Sequence, residues 1–417
     1  MDKKPARTAD IDVDVLIIGG GFVGGSLAAA LAATPLTACM VDRADPAEAL
    51  KATFDGRAFA ISATNRRMLE GIGLWQDLGP TSAPILDIRV SDGPSLLFLH
   101  YDHKDISDEP MGQMVENHHL RRALHRRLAA CDGLVNLAPA AVTDLVRDAG
   151  GVAATLADGR RVRARLAVGA DGRGSATRAS AGIKLTNWTY RQTGIVCTVK
   201  HERSHDYVAH ERFLPAGPFA ILPLAGDPPA AANRSSIVWT EREDLAPALL
   251  ALDDDAFRTE LMRRFGDFMG AVEVIGPRWS YPLSLQFARR TIDTRLVLVG
   301  DAAHGMHPIA GQGLNMGLRD AATLAEVLVE AHRLGLDIGA GATLERYQRW
   351  RRFDNATMLT ATDALNRLFS NDLAPLRLAR DLGLAAVEKM PPLKRVFMRH
   401  AMGMVGELPR LLRGQPL

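Results

Sequence analysis

Three cysteines in 417 residues, Cys39, Cys131 and Cys197, are too few and too scattered for a disulfide framework, and none pairs at C-x-x-C spacing. A zinc ribbon or finger is thereby excluded, and the usage suits a reducing compartment. No window holds the roughly eighteen consecutive apolar residues that a bilayer-crossing helix needs. Charge of one sign is also missing: 50 Lys and Arg stand against 48 Asp and Glu, so no global basic field marks a nucleic-acid partner. No Ser-His-Asp or Cys-His arrangement is evident, which removes the common nucleophilic hydrolases.

What is present is glycine at three chemically pointed places. "DVDVLIIGGGFVGGSLAAALAA" starts with a β-rich run from Val13 to Ile18, breaks at glycines, and continues with helical spacing through Ala33. Gly19, Gly21 and Gly24 form G-x-G-x-x-G, and a second strand in "LTACMVDR" ends in Asp42, eighteen residues beyond Gly24. Strand, glycines, helix, strand and acid together point to a dinucleotide. The glycines let backbone approach a pyrophosphate at a helix N-terminus, and the acid accepts hydrogen bonds from the ribose. This fingerprint does not recur, so one dinucleotide is held fully and any second binds differently, which favours FAD over NAD as the resident cofactor.

Two further strands deliver an aspartate at a glycine turn. In "ARLAVGADGRGSATR" these are Gly169, Asp171, Gly172 and Arg178, and in "RLVLVGDAAH" Gly300 and Asp301. The latter runs on as "GMHPIAGQGLNMGLRD". His304 and His307 sit at i, i+3, but no carboxylate or cysteine cluster stands beside them at ligand spacing, so no metal is expected.

Together these segments resemble the class A flavoprotein aromatic hydroxylases typified by para-hydroxybenzoate hydroxylase. Within that class, "DGRAFAIS", "GQMVENHHLRRAL", "ERFLPAGPFAILPL", "SIVWT" and "RRFDNATMLTATDALNRLFS" resemble, in order, the ubiquinone-biosynthesis branch. The resemblance implies an α/β fold in which a Rossmann-like FAD-binding domain is interleaved with a β-sheet substrate domain and followed by C-terminal helices. It also implies a monooxygenase that uses NAD(P)H and O2, through a flavin C4a-hydroperoxide, to hydroxylate a polyprenyl-phenol. Carried onto this chain, it puts Asp42 on the ribose, Arg57 and Arg121 near the flavin or its pyrophosphate, Asp171 beside the NADPH approach, and Gly300 and Asp301 at the ribityl or pyrophosphate end. His307, Pro308, Gly311 and Gly313 would face the reactive ring, with Leu314 and Asn315 continuing the cofactor contact. Arg57 and Arg121 also read as surface ion-pair residues, and Asn117 as a helix cap. The acid after the second strand is often Glu in this group; Asp42 is one methylene shorter.

The expected division is a leader over 1–11, cofactor-domain segments over 12–84, 112–182 and 283–342, substrate-domain segments over 85–111 and 183–282, and a helical region over 343–417. "TGIVCTVK", "PFAILPL" and "SSIVWTE" supply the substrate sheet. Phe219, Ile221, Leu222 and Pro223 are candidates for an apolar pocket, or else simply sheet core. No residue stands out as a base for a phenol. In the tail, Leu393, Val396, Phe397, Met404, Leu408, Leu411 and Leu412 fall at helical spacing beside Lys394, Arg395, Arg399, Arg410 and Arg413. Such a basic amphipathic helix either packs on the core or docks on an anionic membrane or a pathway protein. The expected setting is cytoplasmic, with contact at the inner membrane face. A prenyl-lipid reductase and a flavin-carrying assembly subunit are the competing readings.

Overall fold

Ile11–Ile18 is a strand whose last four residues, Val15 to Ile18, are buried, the signature of a strand covered on both faces. In this computed structural model, which describes residues 10–51, 53–93, 98–226, 231–307, 309–370, 380 and 383–417, it forms the centre of an eight-stranded sheet. The strand begins at Ile11, inside the expected leader; residues 1–9 of that leader lie outside the described residues.

Strands Arg161–Gly169 and Ala38–Val41 flank it in parallel, with Leu296–Leu298 and Leu134–Leu137 beyond them. Alternation divides the core. Val15 and Ile17 pack beneath the helices Phe22–Leu31 and Gln312–Arg333, while Leu16 and Ile18 pack on the opposite side with Val152 and Leu156. The fingerprint helix is buried from Gly24 to Leu31, and its small residues permit close approach: a Cβ on Gly25 would meet Leu124 at 2.9 Å. Each leucine it buries contributes about 2 kcal/mol.

A second eight-stranded sheet carries Leu185–His201, Gly217–Leu224, Arg234–Arg242, Val208–Leu214, Asp87–Asp92 and Phe98–Asp102. Its 17-residue strand Val272–Ala288 runs straight through the division expected at 282 and ties this sheet to the third glycine turn through His304–Gly305. A three-stranded sheet of Ala58–Ser62, Gly112–Glu116 and Ala83–Ile85 bridges the two.

The tail departs from the single amphipathic helix that its spacing predicts. The helix Pro391–Ala401 ends, Gly403 and Gly406 take φ of +75° and +79°, and only a short 3-10 turn, Arg410–Arg413, follows. Positive φ at two glycines and Pro409 break the periodicity, so the seven apolar residues share no face. Leu411 and Leu412 are buried in the cofactor-domain core, whereas Val396 and Phe397 remain exposed.

Candidate functional site

Register brings the three glycine turns together. Ile18 lies opposite both Gly169 and Val41, and Gly169 lies opposite Leu298, so all four strands end level and their turns leave at one edge. In parallel sheets that carboxyl edge is where ligands bind.

The fingerprint glycines serve different purposes. Gly19 has φ of +108°, and a Cβ there would lie 2.4 Å from the Ala170 carbonyl oxygen; one on Gly24 would lie 2.0 Å from the Gly19 oxygen. Both are required for the turn itself. Among the described residues a Cβ on Gly21 would meet nothing within 4 Å, so that side of the loop is open. Gly21 caps the helix Phe22–Leu31 without a side-chain bond, and no acid stands in the first turn, which leaves the amide end unneutralised. Asp42 accepts the Gly20 N–H with one oxygen and the Ala44 N–H at 2.6 Å with the other, and thereby holds the loop. Each oxygen keeps a lone pair for a further donor.

Arg121, half-buried on the helix Asn117–Ala129, has no ion-pair partner among the described residues. Burial lowers the proton affinity of His125, Arg121 lowers it further and Asp42 raises it, so cation and acid both lie within electrostatic reach of one imidazole. Arg57 is employed otherwise. Its guanidinium pairs with Asp55 at 2.7 Å and lies over the Trp279 ring, 4.8 Å from the centroid. Asp55 is also held by Asn117, whose Nδ2 donates at 2.6 Å, so Asn117 works as a brace there and the helix has no side-chain cap.

The second turn is self-contained. Asp171 accepts from Ser175 Oγ at 2.5 Å and from the Thr177 N–H at 3.0 Å, which engages both its oxygens within the loop. Arg178 donates to the Ala302 carbonyl at 2.8 Å and so stitches this turn to the third. Gly300 takes φ of +57°. Asp301 beside it is half-exposed, 3.5 Å from Arg173, with its carboxylate toward open space rather than buried.

Behind the third turn lies a buried network that the sequence did not announce. Asp320 accepts from His304 Nε2 at 2.6 Å, from the Gly300 N–H at 3.0 Å and from Arg351 Nε at 2.7 Å. Burial opposes ionisation, but the charges and hydrogen bonds of His304 and Arg351 hold its carboxyl well below the usual range. The one available signal was an acid in the middle of a helix buried almost continuously from Asn315 to Ala331.

His307 is fully buried, and neither ring nitrogen finds a partner among the described residues. Burial pushes its pKa down to about 4, so the ring is neutral at physiological pH. It meets Tyr190 edge to face at 5.2 Å, and Tyr190 donates to Asp363 at 3.0 Å. Pro308 lies outside the described residues. Gly311, with φ of +61°, caps the helix Gln312–Arg333 without a side-chain bond, and a Cβ on Gly313 would meet nothing within 4 Å among the described residues. Leu314 packs against the main core. Asn315 accepts the Ser62 N–H at 2.9 Å and donates to the Ala60 oxygen at 2.8 Å, locking the strand Ala58–Ser62 to this helix.

The expected pocket needs correction. Phe219 and Ile221 are buried with Phe257 and Leu261 under the helix Asp254–Phe265, on the far face of the second sheet. Pro223 shares their parity. Alternation leaves Leu222 on the near face, against Ala58 and Ala60.

The arrangement fits FAD. Two helix N-termini with unneutralised amides converge beside glycines whose missing side chains leave free space, and an unpaired arginine stands where phosphate charge needs balance. One group of residues with metal-ligand chemistry is found among the described residues, Glu116, His118 and His119, and there Glu116 already pairs with Arg234 at 2.9 Å.

A family model described as an FAD binding domain matches residues 12–360. The sequence is 59% identical to ubiquinone hydroxylase UbiL of Rhodospirillum rubrum over 98% of this chain and 95% of the relative. It is 33% identical to 3-demethoxyubiquinol 3-hydroxylase of Escherichia coli, covering 94% of this chain and 98% of that one. Human ubiquinone biosynthesis monooxygenase COQ6 is 31% identical over 94% and 93% of the two chains. The solved structure of p-nitrophenol 4-monooxygenase PnpA from Pseudomonas putida superimposes with a TM-score of 0.77 over 94% and 98%, at 19% identity, a likeness of fold.

Proposed function

The chain belongs to the FAD-binding family of ubiquinone hydroxylases and monooxygenases, and from that premise we propose that it hydroxylates the ring of a polyprenyl-phenol on the route to ubiquinone, with NAD(P)H and O2 as co-substrates. The observation that carries this reading is the convergence of three glycine turns on one sheet edge, facing an apolar sheet face across the strand Ala58–Ser62. When bound, reduced FAD activates dioxygen so that one oxygen atom passes to an electron-rich ring.

The chain's own residues bind, orient and keep dry. Arg121 and the amide end at Gly21 balance pyrophosphate charge, and Asp42 accepts from ribose hydroxyls. The amide end at Gly311 to Gly313 would lend partial positive charge to an anionic reduced flavin ring. Neutral His307 and the apolar near face exclude water, and with it unproductive release of hydrogen peroxide. Asp171 holds its own turn beside the NAD(P)H approach, and each of its oxygens keeps a lone pair for a further donor.

The helix Pro391–Ala401 exposes Val396 and Phe397 beside exposed Arg395 and Arg399, which supports peripheral contact with an anionic membrane where a polyprenyl substrate resides. No helix among the described residues is long and apolar enough to cross a membrane. Turnover under 18O2 with NAD(P)H and a prenylated phenol tests the reading: one 18O atom should enter a new ring hydroxyl. Hydrogen peroxide alone, or saturation of a double bond without oxygen uptake, would exclude it.

A further inference from the structure

One carboxylate on the near face of the second sheet is used by nothing described so far. Glu211 lies mid-strand in Val208–Leu214, paired with Ala220 on one side and Val90 on the other. The row continues through Val238 to Val196 in one direction and to Leu99 in the other. Across these six residues Glu211 is the sole polar side chain, with neighbours about 5 Å apart. Its parity matches Ala209, which packs with Leu222, Ala58 and Ala60; Arg212 points the other way, to the Arg264 and Phe265 carbonyls.

The carboxylate has no hydrogen bond and no ion pair among the described residues. It is nevertheless half-buried rather than sealed, as are its row neighbours Val238 and Val90. An unpartnered acid in a sealed core would be costly. Its remaining exposure places the carboxylate at an accessible part of the near face. The near face around it is bordered on one side by the Gly56–Ala60 segment, where Thr198 donates to the Gly56 oxygen at 3.2 Å. On the other it meets the end of the helix Gly341–Phe369, where Phe369 stacks on Phe213 at 4.1 Å.

We propose that Glu211 is a catalytic residue that accepts the phenolic proton of the substrate. The ring O–H donates to the carboxylate, that O–H bond breaks as a Glu211 O–H bond forms, and the electron pair stays on the phenolate oxygen. No redox change accompanies the transfer, and the ring becomes more electron-rich for oxygen insertion. This deepens the hydroxylase reading and rests on it.

The surroundings suit a base poised near neutrality. Burial alone pushes the Glu211 carboxyl up to about 7. The charged groups on neighbouring elements are engaged elsewhere: Asp92 with Arg380 at 2.7 Å, Asp363 with Arg367 and Tyr190, Asp55 with Arg57, and Lys394 with Asp105 and Glu388. Burial raises the Tyr101 hydroxyl above its ordinary range, and His307 is neutral.

The test compares the holoenzyme with its Glu211→Gln variant on 2-geranylphenol under 18O2, after flavin content and melting temperature are matched. The wild-type kcat/KM should rise with pH through a limb near 7, because the ionised carboxylate is the active form. The variant should fall about 100-fold and lose that limb. An ultraviolet difference spectrum should show bound phenolate in the wild type and neutral phenol in the variant at the same pH. If the wild type incorporates 18O and the variant keeps both rate and limb, Glu211 is not the base, although the hydroxylase reading stands. If the wild type itself incorporates none, that reading has failed. Should the glutamine variant lose flavin, Glu211→Asp is read instead: a displaced limb supports the assignment and an unmoved one overturns it.

Discussion

His304 and Asp320 are joined at 2.6 Å, Nε2 to Oδ2, and the same carboxylate accepts the Gly300 amide and the Arg351 guanidinium. The backbone of the third glycine turn is therefore set from inside the protein, by a carboxylate held between an arginine and a histidine.

Asp320→Asn should lower the unfolding free energy by about 3–5 kcal/mol, because the buried Arg351 guanidinium loses its counter-charge. Denaturant titration at neutral pH checks this. The pH dependence has a definite sign. The folded-state pKa lies below the unfolded value of about 4, so the contribution is fully present above that pH and is lost as pH falls through the folded pKa. The variant should therefore lose less stability than the wild type on acidification below pH 4.

His307→Leu should leave stability equal or raise it by about 1–2 kcal/mol, since a buried imidazole with two unpaired nitrogens costs more than an apolar side chain there. If the ring is kept for function, the share of NAD(P)H ending in hydroxylated product should fall, with hydrogen peroxide making up the difference. Unchanged coupling would assign His307 to packing alone.

Gly313→Val and Gly24→Ala should fail in opposite ways. Among the described residues nothing lies within 4 Å of a Cβ at Gly313, so the valine variant should fold normally yet purify with at least 10-fold less FAD by visible absorbance. At Gly24 a Cβ meets the Gly19 carbonyl at 2.0 Å, so that variant should lose the fold along with the flavin, as circular dichroism would record.

Phe219→Ala should cost about 3–5 kcal/mol with KM for the phenol unchanged, because the ring fills the core under the helix Asp254–Phe265. Leu222→Trp, on the near face, should raise KM several-fold with little effect on melting temperature. The reverse pattern would return Phe219 to the pocket.

The glycine turns were legible because each is local: strand, φ-permissive residue and acid lie within a few positions, and the physics acts within them. The facing of Phe219 and Leu222 was not legible, since "FAILPL" is apolar at both parities and only the partner layers decide which is core. Asp320 was hidden for a similar reason. In "GLRDA" it reads as an ordinary surface acid of a helix, and its partners stand 16 and 31 residues away. Glu211 sat in plain view inside "ERFL", between apolar residues of its own parity, Ala209 and Phe213. The tail failed in the other direction. Gly403, Gly406 and Pro409 are breakers within a helically spaced run, and backbone geometry at these three residues outweighs the spacing.

Leu411 and Leu412 pack into the same core as Val15 and Ile17. Residues far apart in sequence thus close one flank of the core beneath the dinucleotide fingerprint. Removing both leucine side chains would leave that flank bare and loosen the fingerprint strand from beneath, without touching a single glycine of the cofactor turns.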